Sequence, residues 1–404
     1  MTKTNYRILN DCRGMYEDEV FDTILSQRGI NDVEHFLTPT EDDLLPLDSL
    51  LRIDEAYQRV DRAIVNNERI GILFDTDLDG ITSGTIMTRY FRHSTDNIKT
   101  YIDEGKMHGL IGQDLSQFEG IDLLIIVDSL DKDISQYKLL KEMGIDVIVL
   151  DHHAIKEKES YDDYVILVSS QRNYENAQLS GAGVVWKFCK YLDEQYLTDY
   201  ADELVDLAAC GLVGDMMDMT VMENRYIVSK GLEKIYNPAV KKIVGGFEFN
   251  STAIAFSIAP IVNASNRMGK NEIAMKAFLE DENKQVLAYV KELKKCKEEQ
   301  NKEVDRLLPD VLKQCDTQVD KKMIITYIDT PYSGLLGNKL LERYQKPILV
   351  LKDIKDTFSG SMRAIGIDDF RKICNDSGFA KADGHELASG ITIKKSDIDK
   401  FALY

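Results

Sequence analysis

Three short apolar runs, RIGILF (69–74), DLLIIV (122–127) and IDVIVL (145–150), are each followed at once by an aspartate: Asp75, Asp128 and Asp151. Runs of that length alternating with helical stretches are the pattern of βαβ units and a parallel sheet. In an open parallel sheet ligands bind at the carboxyl ends of the strands, so three separate strand ends would deliver acids to one edge. Carboxylates gathered there would repel one another unless a cation sat among them. The first acid also opens a cluster, DTDLDG, in which Asp77 and Asp79 follow at spacings of two. Such acids also cap helices, so this segment taken alone admits an N-cap and a solvated turn.

The rest of the chain falls into blocks around that sheet. Residues 1–68 read as a helical lead-in, with apolar residues at three-to-four spacing in FDTILSQRGINDVEHFL and LLRIDEAYQRVDRAIVN. The α/β domain runs over 69–269 and returns to helix at SGAGVVWKFCKYLDEQ, which starts from a Ser-Gly cap, and at TDYADELVDLAACGLVGDMMDM, with a Thr-Asp start and Asp215 and Asp218 at its end. Over 270–318 interleaved Glu and Lys with a thin apolar stripe, no Gly and a single Pro predict one solvated connecting helix. A second alternation over 319–404 (KKMIITYID, a helix at 335–345, KPILVLK, TFSGSMRA, a helix at 367–376 and HELASGITI) predicts a smaller α/β domain. The 404 residues thus exceed what a single core usually holds.

Composition removes several function classes. No apolar run approaches the roughly 20 residues of a membrane span, and the start lacks a signal peptide, so a cytoplasmic protein with no membrane partner is expected. Cys12, Cys189, Cys210, Cys296, Cys315 and Cys374 form no CxxC pair, which argues against a disulfide framework or zinc knuckle and leaves them as buried small residues. A net charge of −19 excludes a broadly basic nucleic-acid-binding surface. A nucleic acid would have to enter a locally basic or metal-neutralised groove.

Carboxylates with neutral imidazole form the ligand set for divalent manganese or magnesium, and VLDHH adds Asp151, His152 and His153 at a strand end. A pair of such ions shares a bridging carboxylate and activates water for in-line attack on phosphorus.

In order along the chain, DTDLDG (75–80), IIVDS (125–129), DHH (151–153), LSGAGVVWK (179–187) and GLVGDMMDM (211–219) resemble the DHH phosphoesterase superfamily. The nearest likeness within it is to the RecJ-like single-strand-specific exonucleases, supported by RGINDVEHFLTP, PIVNASNRMG (260–269), YSGLLGNKLLERYQKPILVL (332–351) and DGHELASG (383–390). The resemblance spans nearly the whole chain. It implies an α/β fold, a parallel-sheet DHH domain joined to a smaller DHH-associated C-terminal domain, and hydrolysis of single-stranded DNA from 5′ to 3′ with two divalent ions, manganese foremost. Asp77 and Asp79 match the first-motif metal ligands, Asp128 the bridging acid, His152 and Asp215 the remaining ligands, and Asp75 the family pattern with a less defined role. Asp151 is expected to orient His152, and His153 to face the substrate phosphate. Arg267 matches a phosphate-binding arginine, and it reads as lying in an Asn- and Gly-containing turn. Arg363, Gly384 and His385 match the grip on the terminal nucleotide.

Two departures alter the expectation. Asp128-Ser129-Leu130 stands where relatives carry DNG or a similar triplet, and Asp383 places an acid where they carry glycine, beside the phosphate grip. Relatives commonly continue into an OB-like domain whereas this sequence stops at Tyr404, so reduced processivity is expected. The compact acidic form suggests a core from a phage or other mobile element, or one supplied with substrate by a host or phage replication or repair protein. Two other readings stand beside the exonuclease: the same chemistry on short oligoribonucleotides or cyclic dinucleotides, and an inactive scaffold, against which the full ligand set speaks. His35, His93 and His108 read as surface residues, and Tyr90, Phe91, Tyr101 and Trp186 as core rather than base-stacking groups.

Overall fold

The three apolar runs become the central strands of a parallel sheet. In the computed structural model, which describes residues 17–103, 109–110, 112–131, 134–155 and 160–404, they form β1 (Ile70–Phe74), β3 (Leu123–Val127) and β4 (Asp146–Asp151). Strands β2 (Ile98–Ile102) and β5 (Ile166–Ser169), which the sequence reading passed over, complete the order β2-β1-β3-β4-β5, with every pair parallel. Every residue of β1 and β3 is buried because helices cover both faces, which explains runs that are apolar throughout rather than alternating. On one face Leu73, Leu124, Ile126 and Val149 pack with Tyr137 and Leu140 of a helix introduced below.

Two compact units divide the chain: residues 1–263 with 271–290, and 264–270 with 291–404. In the first, helices α1 (Glu17–Gln27), α2 (Val33–Leu37) and α3 (Ile53–Val65) precede the sheet, so the lead-in is part of this unit rather than a separate body. Arg59 on α3 anchors it, binding Asp146 at 2.6 Å and the Asp122 carbonyl at 3.2 Å. Helix α4 (Leu78–Phe91) follows β1, α5 (Ser135–Glu142) follows β3, and α6 (Gly181–Tyr196), α7 (Val205–Gly214), α8 (Met222–Leu232) and α9 (Pro238–Val244) follow β5. Helix α4 is buried on nearly every side, and its interior threonines stay satisfied by bonding back to carbonyls four residues earlier, Thr85 to Ile81 at 2.6 Å and Thr88 to Gly84 at 2.7 Å. Helix α6 is capped by Ser180, whose hydroxyl accepts from the Gly183 amide, as expected. The expected Thr-Asp start of the next helix is replaced by a 3-10 turn at Tyr200–Leu204, with α7 beginning at Val205.

A short helix α10 (Ser251–Ala253) passes into a π-turn (Ile254–Ile258) and then α11 (Ala259–Arg267), so Arg267 ends a helix rather than lying in the expected turn. The single connecting helix expected over 270–318 is two: α12 (Asn271–Leu279) stops before Glu280, and α13 (Asn283–Asp316) restarts three residues later. Arg89 and Arg92 of α4 explain the break, since they bond the carbonyls of Phe278, Leu279 and Glu280 that a continuous helix would use internally. Pro309 lies inside α13.

The second unit is a mixed sheet in the order β6-β7-β8-β10-β9, parallel only between β6 (Ile324–Tyr327) and β7 (Ile348–Ile354). Helix α14 (Ser333–Tyr344) links those strands, and β8 (Thr357–Arg363), α15 (Phe370–Asp376), β9 (Ala380–Gly384), β10 (Ala388–Lys394) and α16 (Ile398–Leu403) follow. Strand β9 and the terminal helix α16 are elements of this unit that the sequence reading omitted. Five of the six cysteines are free and buried, while Cys12 and His108 lie outside the described residues. Tyr90, Phe91, Tyr101 and Trp186 are buried as expected. Among the described residues no helix is long and apolar enough to cross a membrane.

Candidate metal centre

With β1 and β3 adjacent and β2 on the far side of β1, the direction of winding reverses between β1 and β3, and the cleft at such a reversal is where parallel sheets bind ligands. Asp75 and Asp128 are the first residues past these two strands, and Asp151 closes β4. Asp128 turns the chain there with φ of 56°, a left-handed value that places its carboxylate at the strand tip. From the opposite side α4 contributes Asp77, which caps the helix by accepting the Gly80 amide at 3.1 Å, and Asp79 in its first turn. Asp215 caps the carboxyl end of α7. The cap reading of the triple-Asp segment therefore holds for Asp77, but the turn is not solvated, since Asp75 and Asp79 are buried.

The side chains converge. Nε2 of His152 lies 3.2 Å from Asp128, 3.4 Å from Asp215 and 3.7 Å from Asp79. Three overlapping sets, Asp75 with Asp77 and Asp128, Asp79 with His152 and Asp215, and Asp128 with His152 and His153, each offer ligand atoms within 4.8 Å of one another. All six expected ligands thus meet in the first unit, joined by His153. Burial, and then the charges of Asp79, Asp77, Asp215 and Asp75, hold Asp128 well above the ordinary carboxylate range. Burial followed by Asp79 and Asp77 pushes Asp215 up to about 9.

Asp151 also has a role that the sequence did not suggest. Its oxygens receive the His153 ring Nδ1 at 2.8 Å and the His153 amide at 3.0 Å, so it orients His153. The attraction of Asp151, opposed by burial, raises His153 to about 10 and makes it an imidazolium near neutral pH. For Asp151 the cost of burial is outweighed by His153, and its carboxyl stays below the ordinary range.

Sequence reasoning missed the glycines that let these acids approach. A Cβ on Gly181 would stand 2.4 Å from Asp128 Oδ1, and one on Gly211 would stand 2.1 Å from Asp79 Oδ1. The amides of Gly181 and Ala182 hold Asp79 at 2.7 and 3.0 Å, which ties the start of α6 to α4. The signal was present in LSGAGVVWK and GLVGD, but only the folded geometry says why small residues stand there. The donor set fits a divalent cation: hard carboxylate oxygens, one imidazole, and a buried Asp128 Oδ1 that accepts no hydrogen bond among the described residues.

Apart from His153, the expected substrate residues belong to the second unit. Arg363, at the end of β8, bonds Asn338 Oδ1 through Nε at 2.7 Å and the Met362 carbonyl through Nη1 at 2.7 Å. Burial, then repulsion from Arg267, lowers its pKa, which places the two guanidiniums within electrostatic reach of each other. Burial likewise lowers Arg267, opposed by Tyr332. Gly384 lies across from Ser389 at the β9–β10 turn with φ of 128°, and exposed His385 follows it. Ala388 pairs with Arg363 in the neighbouring register, so this turn and the arginine share one end of the sheet. Ser333 and Ser361, 2.9 Å apart through their hydroxyls, and Asn338 complete the surroundings and were not singled out from sequence.

The chain belongs to the DHH family, whose N-terminal domain profile matches residues 69–212. Its relatives within that family carry single-strand exonuclease names. One is YorK, an SPbeta prophage-derived protein of Bacillus subtilis strain 168 named as a single-strand DNA-specific exonuclease, 31% identical over 435 residues that cover 97% of this chain and 74% of YorK. Another is the single-stranded-DNA-specific exonuclease RecJ of the same organism, 28% identical over 93% of this chain and 50% of RecJ, so the chain spans about half the length of that relative. Among solved structures, RecJ from Thermus thermophilus in complex with Mn2+ shares the fold with a TM-score of 0.78 at 22% identity, over 94% of this chain and 57% of that one.

Proposed function

We propose that this protein is a metal-dependent exonuclease that removes nucleotides from the 5′ end of single-stranded DNA. The observation that carries this reading is the gathering of Asp75, Asp77, Asp79, Asp128, His152 and Asp215 in overlapping ligand sets, with a buried Asp128 oxygen that accepts no hydrogen bond among the described residues. So many acids in one buried place are unfavourable for the protein alone, and a bound cation reverses the sign of that interaction. Two divalent ions, manganese foremost, would be held by those six residues and would supply a water of lowered pKa and positive charge for the phosphoryl oxygens.

The chain's own residues supply the rest. Asp151 fixes the ring of His153 and keeps it protonated, so that its positive charge favours a non-bridging phosphate oxygen. In the second unit Arg267 and Arg363 present two guanidiniums whose mutual repulsion an anionic phosphate would relieve. Gly384 permits close backbone approach and His385 adds a donor, which together suit the terminal nucleotide. The test is incubation with Mn2+ and single strands of about 5 and about 40 nucleotides labelled at either end, because a long-strand enzyme engages several bases. Cleavage of both strands, beginning at the 5′ label, is the expected result. Cleavage of the short strand alone, or loss of the 3′ label first, would overturn it.

A further inference from the structure

Immediately beyond Asp215 the chain does something that neither the fold nor the metal centre requires. Met216 adopts φ of 55° and is 88% exposed. The turn is a helix C-terminus in which the amides of Met216 and Met217 return to the carbonyls of Val213 and Leu212. Glycine is the usual occupant of that left-handed position, so a long apolar side chain sits there at a conformational cost and gains no burial. Facing it, the π-turn at Ile254–Ile258 presents Phe256 at 78% exposure; π-turns are rare and gather at functional sites.

These features line one open groove of about 350 Å3, with Val213, Met216, Met217, Met219, Ala255 and Phe256 as its walls and the hydroxyl residues Ser251 and Thr252 beside them. None of the lining residues is charged, in a chain with 69 acids and a net charge of −19. Asp218, which interrupts the methionines, is turned onto the Thr220 amide and hydroxyl at 2.8 and 2.7 Å. Val213, Ser251 and Met219 also border a second trough of about 260 Å3 that runs toward Val228 and Leu232. All of these residues lie in the first unit.

We infer that this methionine–phenylalanine groove is a base-stacking subsite, which holds unpaired nucleobases of the strand whose phosphate lies at the metal centre. The inference rests on the exonuclease reading above and extends it to the bases. Three walls (Val213, Met216 and Met217) flank the ligand Asp215 in sequence, which sets this surface within about two residues of that carboxylate and so within a nucleotide's reach of a phosphate held there. An acid-free apolar wall suits the π-faces of bases of any identity, and the polarisable methionine thioethers adapt to each. Clefts of this volume hold small planar groups, whereas a protein partner needs a far wider surface.

The test measures binding of a nuclease-resistant phosphorothioate single strand of ten nucleotides to the full chain with Mn2+, by fluorescence anisotropy. Phe256→Ala is expected to weaken binding about fivefold to tenfold and Phe256→Tyr to restore it. A matching strand with abasic sites should bind wild type and Phe256→Ala alike, and turnover of methyl p-nitrophenyl phosphate, which brings no nucleobase, should be unchanged. Equal weakening on both strands, or none, overturns the subsite. A dimeric wild type that becomes monomeric as Phe256→Ala, with strand affinity unchanged, assigns the groove to a second copy and also overturns it. Base-dependent binding without any strand cleavage would sink the exonuclease reading and leave this one standing, whereas cleavage indifferent to base removal would do the reverse.

Discussion

Asp128 is 2% exposed and lies within electrostatic reach of four other carboxylates, so its charge is opposed by both burial and its neighbours. Asp128→Asn should therefore raise the melting temperature of the metal-free protein at pH 8 by about 2 °C or more, while lowering strand cleavage at least about a hundredfold. Calorimetry in the presence of a chelator checks the first arm, and a fall in melting temperature would show that repulsion is not what burdens this residue. Asp151→Asn removes the anion that keeps His153 protonated, so the His153 pKa should drop from about 10 toward its ordinary 6.5. Cleavage should fall about 10- to 100-fold, with the larger loss on the alkaline side. Imidazole NMR shifts followed through a pH titration, beside the activity profile, test both statements. Gly181→Ala should be nearly as damaging to metal affinity as loss of a ligand, because its Cβ would occupy space 2.4 Å from Asp128 Oδ1. The acids were legible in the sequence because each follows an apolar run, whereas the pairing of Asp151 with His153 depends on how the chain turns after β4.

Helices α6 and α8 meet through Lys187 and Glu223, 2.6 Å apart and almost wholly buried. The carboxylate also takes the Tyr174 hydroxyl, the Asn176 amide and the Leu45 amide, while Lys187 donates to the Leu45 carbonyl, so one network ties the lead-in to two helices. Lys187→Ala leaves Glu223 charged and buried, and should cost about 3 to 5 kcal/mol in urea denaturation with little change in activity per folded molecule. The strands that the sequence reading found, β1, β3 and β4, are central and buried along nearly their whole length. Those it passed over are edge strands: β2 is largely half-exposed, β5 has four residues, and β9 buries only Ala382 fully. Such strands lack the signal that two-sided burial writes into a sequence. The gap between α12 and α13 escaped notice for a different reason. Its cause is a pair of arginines roughly 190 residues earlier, which no local pattern contains.

Across the whole molecule the raised carboxylates set how stability and metal uptake follow pH. A group whose pKa is raised by folding favours the folded state below its unfolded value, here 3.8, and this contribution is lost as pH rises through the folded value, about 9 for Asp215. The metal-free protein should therefore lose stability between about pH 4 and pH 9 on account of Asp128 and Asp215. Since metal displaces the protons they hold, stabilisation by Mn2+ should be small at pH 5 and large at pH 8, with about one proton or more released per chain at pH 8. Melting curves with and without metal across that range, and a pH-indicator titration in weak buffer, measure the two effects. The ligands themselves come from β1, α4, β3, β4 and the end of α7, a span of chain from Asp75 to Asp215. A polypeptide still emerging from the ribosome lacks the last of them until Asp215 has been synthesised, so the growing chain is spared any capacity to cut nucleic acid until most of the first unit has been made.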